Sequence, residues 1–491
     1  MKKSNTQNQT EKRGLAGHPI GLLVLSGTQL WERLSFYGIQ VIVAYYIYYE
    51  VSQGGLGLSQ DVALGIVGAY GAGVYLAEPV GAWLADRVVA VRYVVVFGIL
   101  LIMAGHIALA LSAGISGLIA GLSLIVLGTG LLFPNIRTLV ASLYEDKPLK
   151  QDAGFALFYA AIMIGALLGP LITGFLQTRF GFHVGFSAAA FGMGFGALIY
   201  WWGWKSLPKA ATKIPNPLSS SAKYWVMGLI GTAVLITGII AKRFVTLQNL
   251  PDVLLIATTL IAIAYFGVIL TSNKTRPPEK KRVFAYIPIF LSGVIFWTLV
   301  LQLFTTFAVY ADVRVDMTLG SLKIPPAYIS SFEVIAGIIF SFLLASVWQL
   351  LREKQPSTPT KMALGLIFMA TAYAFFGLLA LLVSGQVSLL LVICGMVLFG
   401  AAEIIYAPLL YSITTQAAPK AFRSQMMALQ GLSMAIGSSL SGYVGNLYLS
   451  ISNEGVFFGI SALVTAIAAI LLLICLPVFK RVGLTLLETS N

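Results

Sequence analysis

Residues 91–113 read VRYVVVFGILLIMAGHIALALSA, a run in which Arg92 is the single charged residue. A helix needs about 20 predominantly apolar residues to cross a hydrocarbon core that is roughly 30 Å thick. The run therefore predicts a membrane-spanning helix. Similar apolar segments recur along the chain, and we count fourteen of them.

The composition of the whole chain also indicates a protein that lies mostly within a bilayer. Of the 491 residues, 58% are hydrophobic and only 10% are charged, which leaves too little polar surface to cover several soluble domains. The first apolar segment follows a polar tail, is too long for a signal peptide and contains Glu32 and Arg33. We therefore expect a retained spanning helix and an all-α integral membrane protein.

The basic residues are distributed unevenly between the predicted loops. With the N-terminus placed in the cytoplasm, the tails and cytoplasmic loops hold 24 of the 31 Lys and Arg residues, and the opposite loops hold five. This asymmetry follows the positive-inside rule. The net charge of +13 is thus explained by topology and anionic lipid, without nucleic acid. We expect a multi-pass protein of the cytoplasmic membrane with both termini in the cytoplasm.

The most polar connections divide the chain. Two proline-containing basic segments bracket an extra helical pair, and six predicted spans lie on either side of it. This pattern is typical of two homologous six-helix bundles around a central cavity, which work by alternating access. The predicted divisions are a cytoplasmic tail at 1–16, an N-terminal bundle at 17–204, a linker at 205–223, the inserted pair at 224–271, a second linker at 272–285, a C-terminal bundle at 286–480 and a tail at 481–491.

A short charged turn closes the second span. Residues 81–87 read GAWLADR, and Arg92 follows. Asp86, Arg87 and Arg92 lie at a predicted cytoplasmic turn, where they can hold the two halves in one conformation. The turn resembles the loop signature of the major facilitator superfamily. The resemblance implies the major facilitator fold, here with the inserted pair and about fourteen transmembrane helices.

Ionisable side chains inside the predicted spans are few. Each is a candidate for function, because a charge at the bilayer centre is costly. On the first span, Gln29, Glu32, Arg33, Tyr37 and Gln40 share one helical face, which predicts a polar stripe along a wet cavity. The alternative is that Glu32 and Arg33 only neutralise each other. The other intramembrane candidates are Glu78, Arg137, Glu333 and Glu403.

The stretch ERLSFYG at residues 32–38 resembles the first-helix motif E-x-x-E-R-F-x-Y-Y-G of the proton-dependent oligopeptide transporters. Further matches run through nearly the whole chain. They include Tyr75-Leu76, LGTG at 127–130, DAGF at 152–155, GFHVGFS at 181–187, Phe296-Trp297 and Glu403. The resemblance implies a proton-coupled peptide transporter that retains Glu32, Arg33, Tyr37, Tyr75 and Glu403 among its working residues.

Other positions of that family's site carry different residues here. The changes are Gln29 for the first glutamate, Gln40 for a later arginine, Phe133 for the fourth-helix lysine, Met163 for the fifth-helix asparagine, Leu301 for the seventh-helix acid, Glu333 for the eighth-helix asparagine and Gln430 for the eleventh-helix tryptophan. Loss of the lysine together with its acidic partner is consistent, because losing only one of them strands a buried charge. We therefore expect a rebuilt pocket.

Two unusual charges suggest a compensation for the lost lysine and its lost acidic partner. Arg137 lies four residues beyond Phe133 on the same helical face, and Glu78 lies three residues beyond Tyr75. The second and fourth spans run in the same direction. We therefore predict an ion pair between Glu78 and Arg137, since an unpaired charge at this depth is costly.

These patterns assign roles. We expect Glu32, Glu333 and Glu403 to take part in proton coupling, Arg33 to attract an anionic group of the substrate and Glu403 to attract a cationic group. The predicted substrate-binding residues are Arg33, Tyr37, Tyr75, Gln29, Gln40, Phe133, Met163, Trp297, Gln302, Glu333, Glu403 and Gln430. Predicted ion pairs and gating residues are Glu78, Arg137, Asp86, Arg87 and Arg92.

The leading interpretation is a monomeric symporter of protons with small peptides or peptide-like molecules. One alternative is proton-coupled transport, inward or outward, of another metabolite such as an amino-acid conjugate or a siderophore. Another is a membrane sensor without transport. An enzyme is not expected, because three scattered histidines and two intramembrane cysteines assemble no catalytic or metal set. No nucleotide-binding loop is present, so we expect no cofactor and an ion gradient as the energy source.

Overall fold

The computed structural model describes residues 17–144, 150–219 and 243–485, together with positions 221, 224, 225, 228 and 232. Long helices dominate, as expected where no water is available to satisfy backbone polar groups. The helices are α1 (Ile20–Tyr48), α2 (Gln60–Arg87), α3 (Val91–Leu111), α4 (Ile115–Ser142), α5 (Gln151–Phe180), α6 (Phe182–Trp202), α7 (Leu250–Thr271), α8 (Pro277–Val300), α9 (Thr306–Val313), α10 (Ile329–Leu351), α11 (Thr358–Leu382), α12 (Leu389–Ala417), α13 (Arg423–Ser450), α14 (Glu454–Ile474) and α15 (Leu476–Arg481).

In the described part of the chain, eleven helical segments are long and apolar enough to cross a membrane. α1 and α13 are also long enough, at 29 and 28 residues. The first helix of the predicted inserted pair, at 224–241, lies mostly outside the described residues. So do the predicted tail at 1–16 and the end of the tail at 481–491.

The first bundle consists of α1–α6. α1 packs against α5 and α6, while α4 packs against α2 and α3. Glycine permits the close crossings: a Cβ atom at Gly165 of α5 would lie 2.5 Å from the carbonyl oxygen of Leu30, and one at Gly81 of α2 would lie 2.0 Å from that of Gly130. Small residues allow helices to approach in a bilayer, where the hydrophobic effect does not drive them together.

The second bundle consists of α8–α14, and its first predicted span is broken. Sequence patterns predict one segment over 286–310, but a 3-10 turn at Leu301–Phe304 separates α8 from α9. The side chain of Gln302 stabilises this break. Its amide donates to the carbonyl oxygens of Thr298 (3.2 Å) and Ser441 (3.1 Å), and its oxygen accepts from the hydroxyls of Thr305 (3.1 Å) and Thr306.

The two bundles meet along α2 with α13 and along α5 with α10. In the first contact, the Ser438 hydroxyl donates to the carbonyl oxygen of Gly68 at 2.9 Å. In the second, the Ser331 hydroxyl donates to the carbonyl oxygen of Leu167 at 3.2 Å. α7 packs outside the bundles against both α2 and α13. The described helix of the inserted pair therefore flanks the junction between the bundles.

One end of the molecule is closed between the bundles. At the C-terminal end of α1, the hydroxyls of Tyr48 and Tyr49 donate to the carboxylate of Asp312 at 2.8 and 2.6 Å. The Tyr45 hydroxyl donates to the carbonyl oxygen of Ala308 at 3.1 Å. Under the predicted topology this is the extracellular end.

Candidate functional site

The polar stripe of α1 forms a compact ion pair. Arg33 donates from Nε and Nη2 to the two carboxylate oxygens of Glu32 at 2.5 and 2.8 Å, and the Gln29 amide donates to Glu32 at 2.6 Å. All three side chains are buried. The alternative considered from sequence, that the two charges neutralise each other, thus describes their contact in this conformation. Bidentate geometry makes the pair strong and directional.

Phe133 of α4 brings no charge to the position of the lost lysine. Its ring lies instead against two arginine side chains. The guanidinium carbon of Arg33 lies 4.0 Å from the centroid of the Phe133 ring, and that of Arg137 lies 3.6 Å from it. Arg33 also lies 4.7 Å from the ring centroid of Phe36. The face of an aromatic ring attracts cations, so the Phe133 ring stabilises the positions of both arginine side chains.

The second bundle contributes two acids to the interior. Glu333 of α10 and Glu403 of α12 lie close enough for their carboxyl groups to interact electrostatically. Glu333 is buried, and Glu403 is half-buried. Their meeting depends on the crossing of α10 with α12, where a Cβ atom at Gly400 would lie 2.6 Å from the carbonyl oxygen of Glu333. Two helices separated by a loop and a whole span thus bring their acids close together.

Tyr37 connects the two groups of charges. Its hydroxyl lies within electrostatic range of Arg33 and Glu32 in its own bundle and of Glu403 and Glu333 in the other. Its ring lies 6.4 Å from that of Phe304 across the bundle junction. The charges therefore lie together in the interior between the bundles rather than facing lipid in separate compartments.

Several predicted binding residues have buried polar atoms without a protein partner. In the described part of the chain these include Oε1 of Gln29, Oε1 of Gln40, Nε1 of Trp297 and Nε2 of Gln430. Buried polar groups in folded proteins are nearly always hydrogen-bonded to protein or water. Such atoms can therefore receive the polar groups of a substrate or of water between the bundles.

Two predicted binding residues have other roles in this conformation. Gln302 is fully buried, and its polar atoms are used at the break between α8 and α9. Met163 is half-buried and packs against the hydrophobic core of the first bundle. Both residues therefore lie next to the site and do not present their side chains to a substrate in this conformation.

The predicted pair of Glu78 with Arg137 is not formed in this conformation. The ion pairs within 4.0 Å that we find in the described ranges join Glu32 with Arg33, Asp86 with Arg87 and Arg314 with Glu454. The guanidinium of Arg137 lies instead over the Phe133 ring, and it lies within electrostatic range of Tyr411 of α12. Its attraction to Glu78 acts over a longer distance. The Tyr75 hydroxyl lies within range of Arg33, Tyr37 and Glu78.

The predicted charged turn after α2 contacts the linker between the bundles. Asp86 lies 3.8 Å from Arg87 and accepts from the side-chain amide of Asn216 at 2.9 Å. Arg92 has a different environment, since its guanidinium carbon lies 4.7 Å from the ring centroid of Tyr93 and 4.9 Å from that of Trp204. The turn and the linker are thus joined by a hydrogen bond, and Arg92 does not take part in that contact.

Sequence reasoning did not assign several residues that the structure places at the site or its gate. Tyr159, which the sequence suggested only as an apolar wall of the pocket, lies within electrostatic range of Glu403 and Glu333, and Tyr411, which it did not suggest, lies within range of Arg137. Asp312 receives the hydroxyls at the closed end. Asp312 is an acid next to an apolar segment, which was a usable signal, whereas a lone tyrosine on an apolar helix carries none. Within the described residues, no group of His, Cys, Asp and Glu is arranged to hold a metal ion.

Comparisons with known proteins agree with this architecture. The model of the POT family matches residues 92–459. The chain is 35% identical to the uncharacterized transporter YclF of Bacillus subtilis (strain 168), over 96% of each chain. It is also 35% identical to the di-/tripeptide transporter of Lactococcus lactis subsp. cremoris, over 97% of this chain and 99% of the relative.

The fold is shared with solved structures as well. A crystal structure of peptide transporter POT in complex with sulfate superposes with a TM-score of 0.92 at 36% identity, over 96% of this chain and 97% of that one. These relatives are transporters, which confirms the predictions of a multi-pass membrane protein that is not an enzyme and of the major facilitator fold. On this similarity over almost its entire length, the chain belongs to the POT family.

Proposed function

We propose that this protein is a proton-coupled symporter that takes up di- and tripeptides by alternating access. The observation that supports the proposal is that Arg33 of one bundle and Glu403 of the other both lie within electrostatic range of the Tyr37 hydroxyl between the bundles. A short peptide carries a carboxylate at one end and an ammonium at the other. Arg33 suits the former and Glu403 the latter, so a bound peptide draws the two bundles together.

Proton coupling follows from the contacts of Glu32. In this conformation Glu32 occupies the bidentate face of Arg33. A protonated Glu32 no longer attracts the guanidinium as an anion, which leaves Arg33 available to the peptide carboxylate. Protonation and peptide binding thus favour each other, and this mutual effect is the coupling that a symporter requires.

The remaining features of the proposal follow from the topology and the family. The proton gradient supplies the energy, and no cofactor is needed. The protein lies in the cytoplasmic membrane as a monomer with both termini in the cytoplasm, which is the orientation that the positive-inside rule favours.

Uptake by proteoliposomes tests the proposal. Purified protein should accumulate labelled dialanine when an inward proton gradient is imposed, and Glu32→Gln should remove most of the stimulation by the gradient. Glu50→Gln is a matched control, because Glu50 is exposed in the loop after α1. If the unchanged protein takes up dialanine equally with and without the proton gradient, proton coupling is contradicted. If it takes up no dialanine at all, the peptide substrate is contradicted.

A second candidate is proton-coupled transport of another metabolite, such as an amino-acid conjugate or a siderophore. The placement of two guanidinium groups at the Phe133 ring favours it, because together they suit a substrate with more anionic groups than a dipeptide. A thermal-shift screen compares the candidates, since a ligand that prefers the folded protein raises its unfolding temperature. Stabilisation by siderophores or conjugates without stabilisation by dipeptides would favour the second candidate.

A further inference from the structure

A cavity of about 510 Å³ lies between the start of α8 and the segment that joins α12 to α13. α8 runs from this cavity towards α9, which carries Asp312, so the cavity lies at the end of the molecule opposite the contact between α1 and Asp312. Under the predicted topology this is the cytoplasmic end. Four basic residues line the cavity, namely Arg276, Arg282, Lys420 and Arg423. We call this space the basic cavity.

Glu279 joins the two walls of the basic cavity through backbone amides. One of its carboxylate oxygens accepts from the amide of Arg276 at 2.9 Å, and the other accepts from the amide of Lys420 at 3.1 Å. Glu279 and Lys420 are 141 positions apart in the sequence. This carboxylate therefore positions the loop after α12 against the first turn of α8, and the basic side chains are brought together by the fold.

The surrounding protein leaves most of the positive charge of the basic cavity uncompensated. Four basic residues and one acid line it, which gives a net charge of +3. The ion pairs within 4.0 Å that the described ranges contain involve none of the four basic side chains. A cleft lined by charges of one sign raises the local concentration of ions of the opposite sign. The basic cavity therefore favours an anionic ligand.

The side chains of the basic cavity also indicate which anion it suits. Three of the four basic residues are arginines, whose planar guanidinium groups match two oxygens of a phosphate. On the α12 wall, Oε1 of Gln416 is buried, and it has no hydrogen-bond partner among the described residues. This oxygen accepts hydrogen bonds, so it suits a hydroxyl group carried by the same ligand.

The basic cavity lies where the polar part of the chain meets the apolar spans. Beyond Arg282 the helix α8 carries no further charged residue, and beyond Arg423 the same is true of α13. The basic residues therefore lie at the level that lipid headgroups occupy. Basic pockets between transmembrane helices on the cytoplasmic side are suited to anionic headgroups.

We propose that the basic cavity binds a phosphate ester that carries a hydroxyl group, which is the chemistry of the glycerol phosphate headgroup of phosphatidylglycerol. The arginines hold the phosphate oxygens, and Oε1 of Gln416 accepts from a hydroxyl of the glycerol. The ligand has two sources, an anionic phospholipid of the adjacent leaflet or a soluble glycerol phosphate. The site is separate from the charges of α1, α10 and α12, and it does not depend on which substrate the protein transports.

Binding of phosphatidylglycerol is the first test. Native mass spectrometry of the purified full-length protein should show tighter binding of dioleoylphosphatidylglycerol than of dioleoylphosphatidylcholine, whose headgroup has no net charge and no hydroxyl. Arg282→Gln combined with Arg423→Gln should weaken binding of the former about thirtyfold, since each Lys or Arg near an anionic lipid contributes a factor of about five.

Lys480→Gln combined with Arg481→Gln is the matched control, because it removes two exposed basic side chains that lie outside the basic cavity. An equal loss of binding in the two double variants overturns the proposal. If the first double variant does not fold, Arg423→Gln alone should show about a fivefold loss, since its exposed side chain forms no ion pair within the described residues.

Thermal unfolding separates the two sources of the ligand, because a ligand that prefers the folded protein raises its unfolding temperature. Stabilisation by dioleoylphosphatidylglycerol alone assigns the basic cavity to a lipid headgroup. Stabilisation by glycerol 3-phosphate at constant ionic strength assigns it to a soluble anion. Either effect should disappear when Arg282 and Arg423 are both replaced by glutamine. If neither ligand stabilises the unchanged protein, the proposal is wrong.

Discussion

Arg33 is held by two kinds of contact that a lysine cannot reproduce. Its planar guanidinium donates to both oxygens of Glu32 and also lies over the rings of Phe133 and Phe36. The ion pair fixes the direction in which the N–H groups of the guanidinium point, and the rings fix the orientation of the guanidinium plane. Lysine is a compact, strongly hydrated charge with neither a fork nor a planar face.

We therefore expect Arg33→Lys to reduce the affinity for dialanine about ten- to hundredfold, since charged hydrogen bonds contribute roughly 1.5–3 kcal/mol. Competition binding in detergent measures this directly. Arg92→Lys is the matched control, because Arg92 also lies over aromatic rings but near the charged turn after α2. An equal loss of affinity in both variants would show that Arg33 acts only through general stability.

Glu32 and Arg33 were recognisable from the sequence because they are adjacent and lie within an apolar span. The same reasoning named Glu333 and Glu403, but not their proximity, because they are 70 positions apart and belong to different helices. Arg137 shows the opposite case. Its charge predicted an acidic partner, whereas the fold placed its guanidinium 3.6 Å from the centroid of the Phe133 ring.

At the scale of elements, the break between α8 and α9 is the feature that the sequence pattern missed. Apolar length alone cannot distinguish a straight span from a broken one. The break is stabilised by Gln302, whose side chain binds backbone carbonyls of α8 and α13 and the hydroxyls of Thr305 and Thr306. Irregular backbone inside a membrane is tolerated only where protein groups satisfy it in this way.

Gln302→Leu should therefore destabilise the protein by about 1–3 kcal/mol, because it leaves buried polar groups without partners. The expected readout is a lower unfolding temperature in detergent. Gln53→Leu serves as the control, since Gln53 is exposed in the loop after α1. If Gln302→Leu unfolds at the temperature of the unchanged protein, the break does not depend on this side chain.

At the scale of the whole molecule, the bundles are joined at one end by Tyr48 and Tyr49 of α1 and by Asp312 of α9. Rocking of the bundles must break these contacts before this end can open. A carboxylate that accepts two hydroxyls forms charge-assisted hydrogen bonds, which are about twice as strong as neutral ones. Asp312 is therefore expected to favour the conformation described above.

Asp312→Asn should shift the protein towards opening at this end by roughly tenfold, the equivalent of about 1.4 kcal/mol. Spin labels at Gln53 and Ser321, in a background with Cys394 and Cys475 replaced by serine, would report the change as a longer distance between the bundles. Asp316→Asn is the control, because the Asp316 carboxylate accepts from the nearby Thr318 hydroxyl. An unchanged distance distribution in Asp312→Asn would exclude this gating role.

The sequence by itself determined that the chain spans a membrane many times, that it has two bundles and that a few charges on α1, α10 and α12 matter. This was possible because the energetic cost of a charge in hydrocarbon, and the preference of an apolar run for it, do not depend on which helices pack nearby. Only the tertiary structure decided which charges touch, since pairing depends on where helices cross. The crossing at Gly400 brings the helices of Glu333 and Glu403 together, whereas the guanidinium of Arg137 lies over the Phe133 ring and forms no ion pair with Glu78 in this conformation.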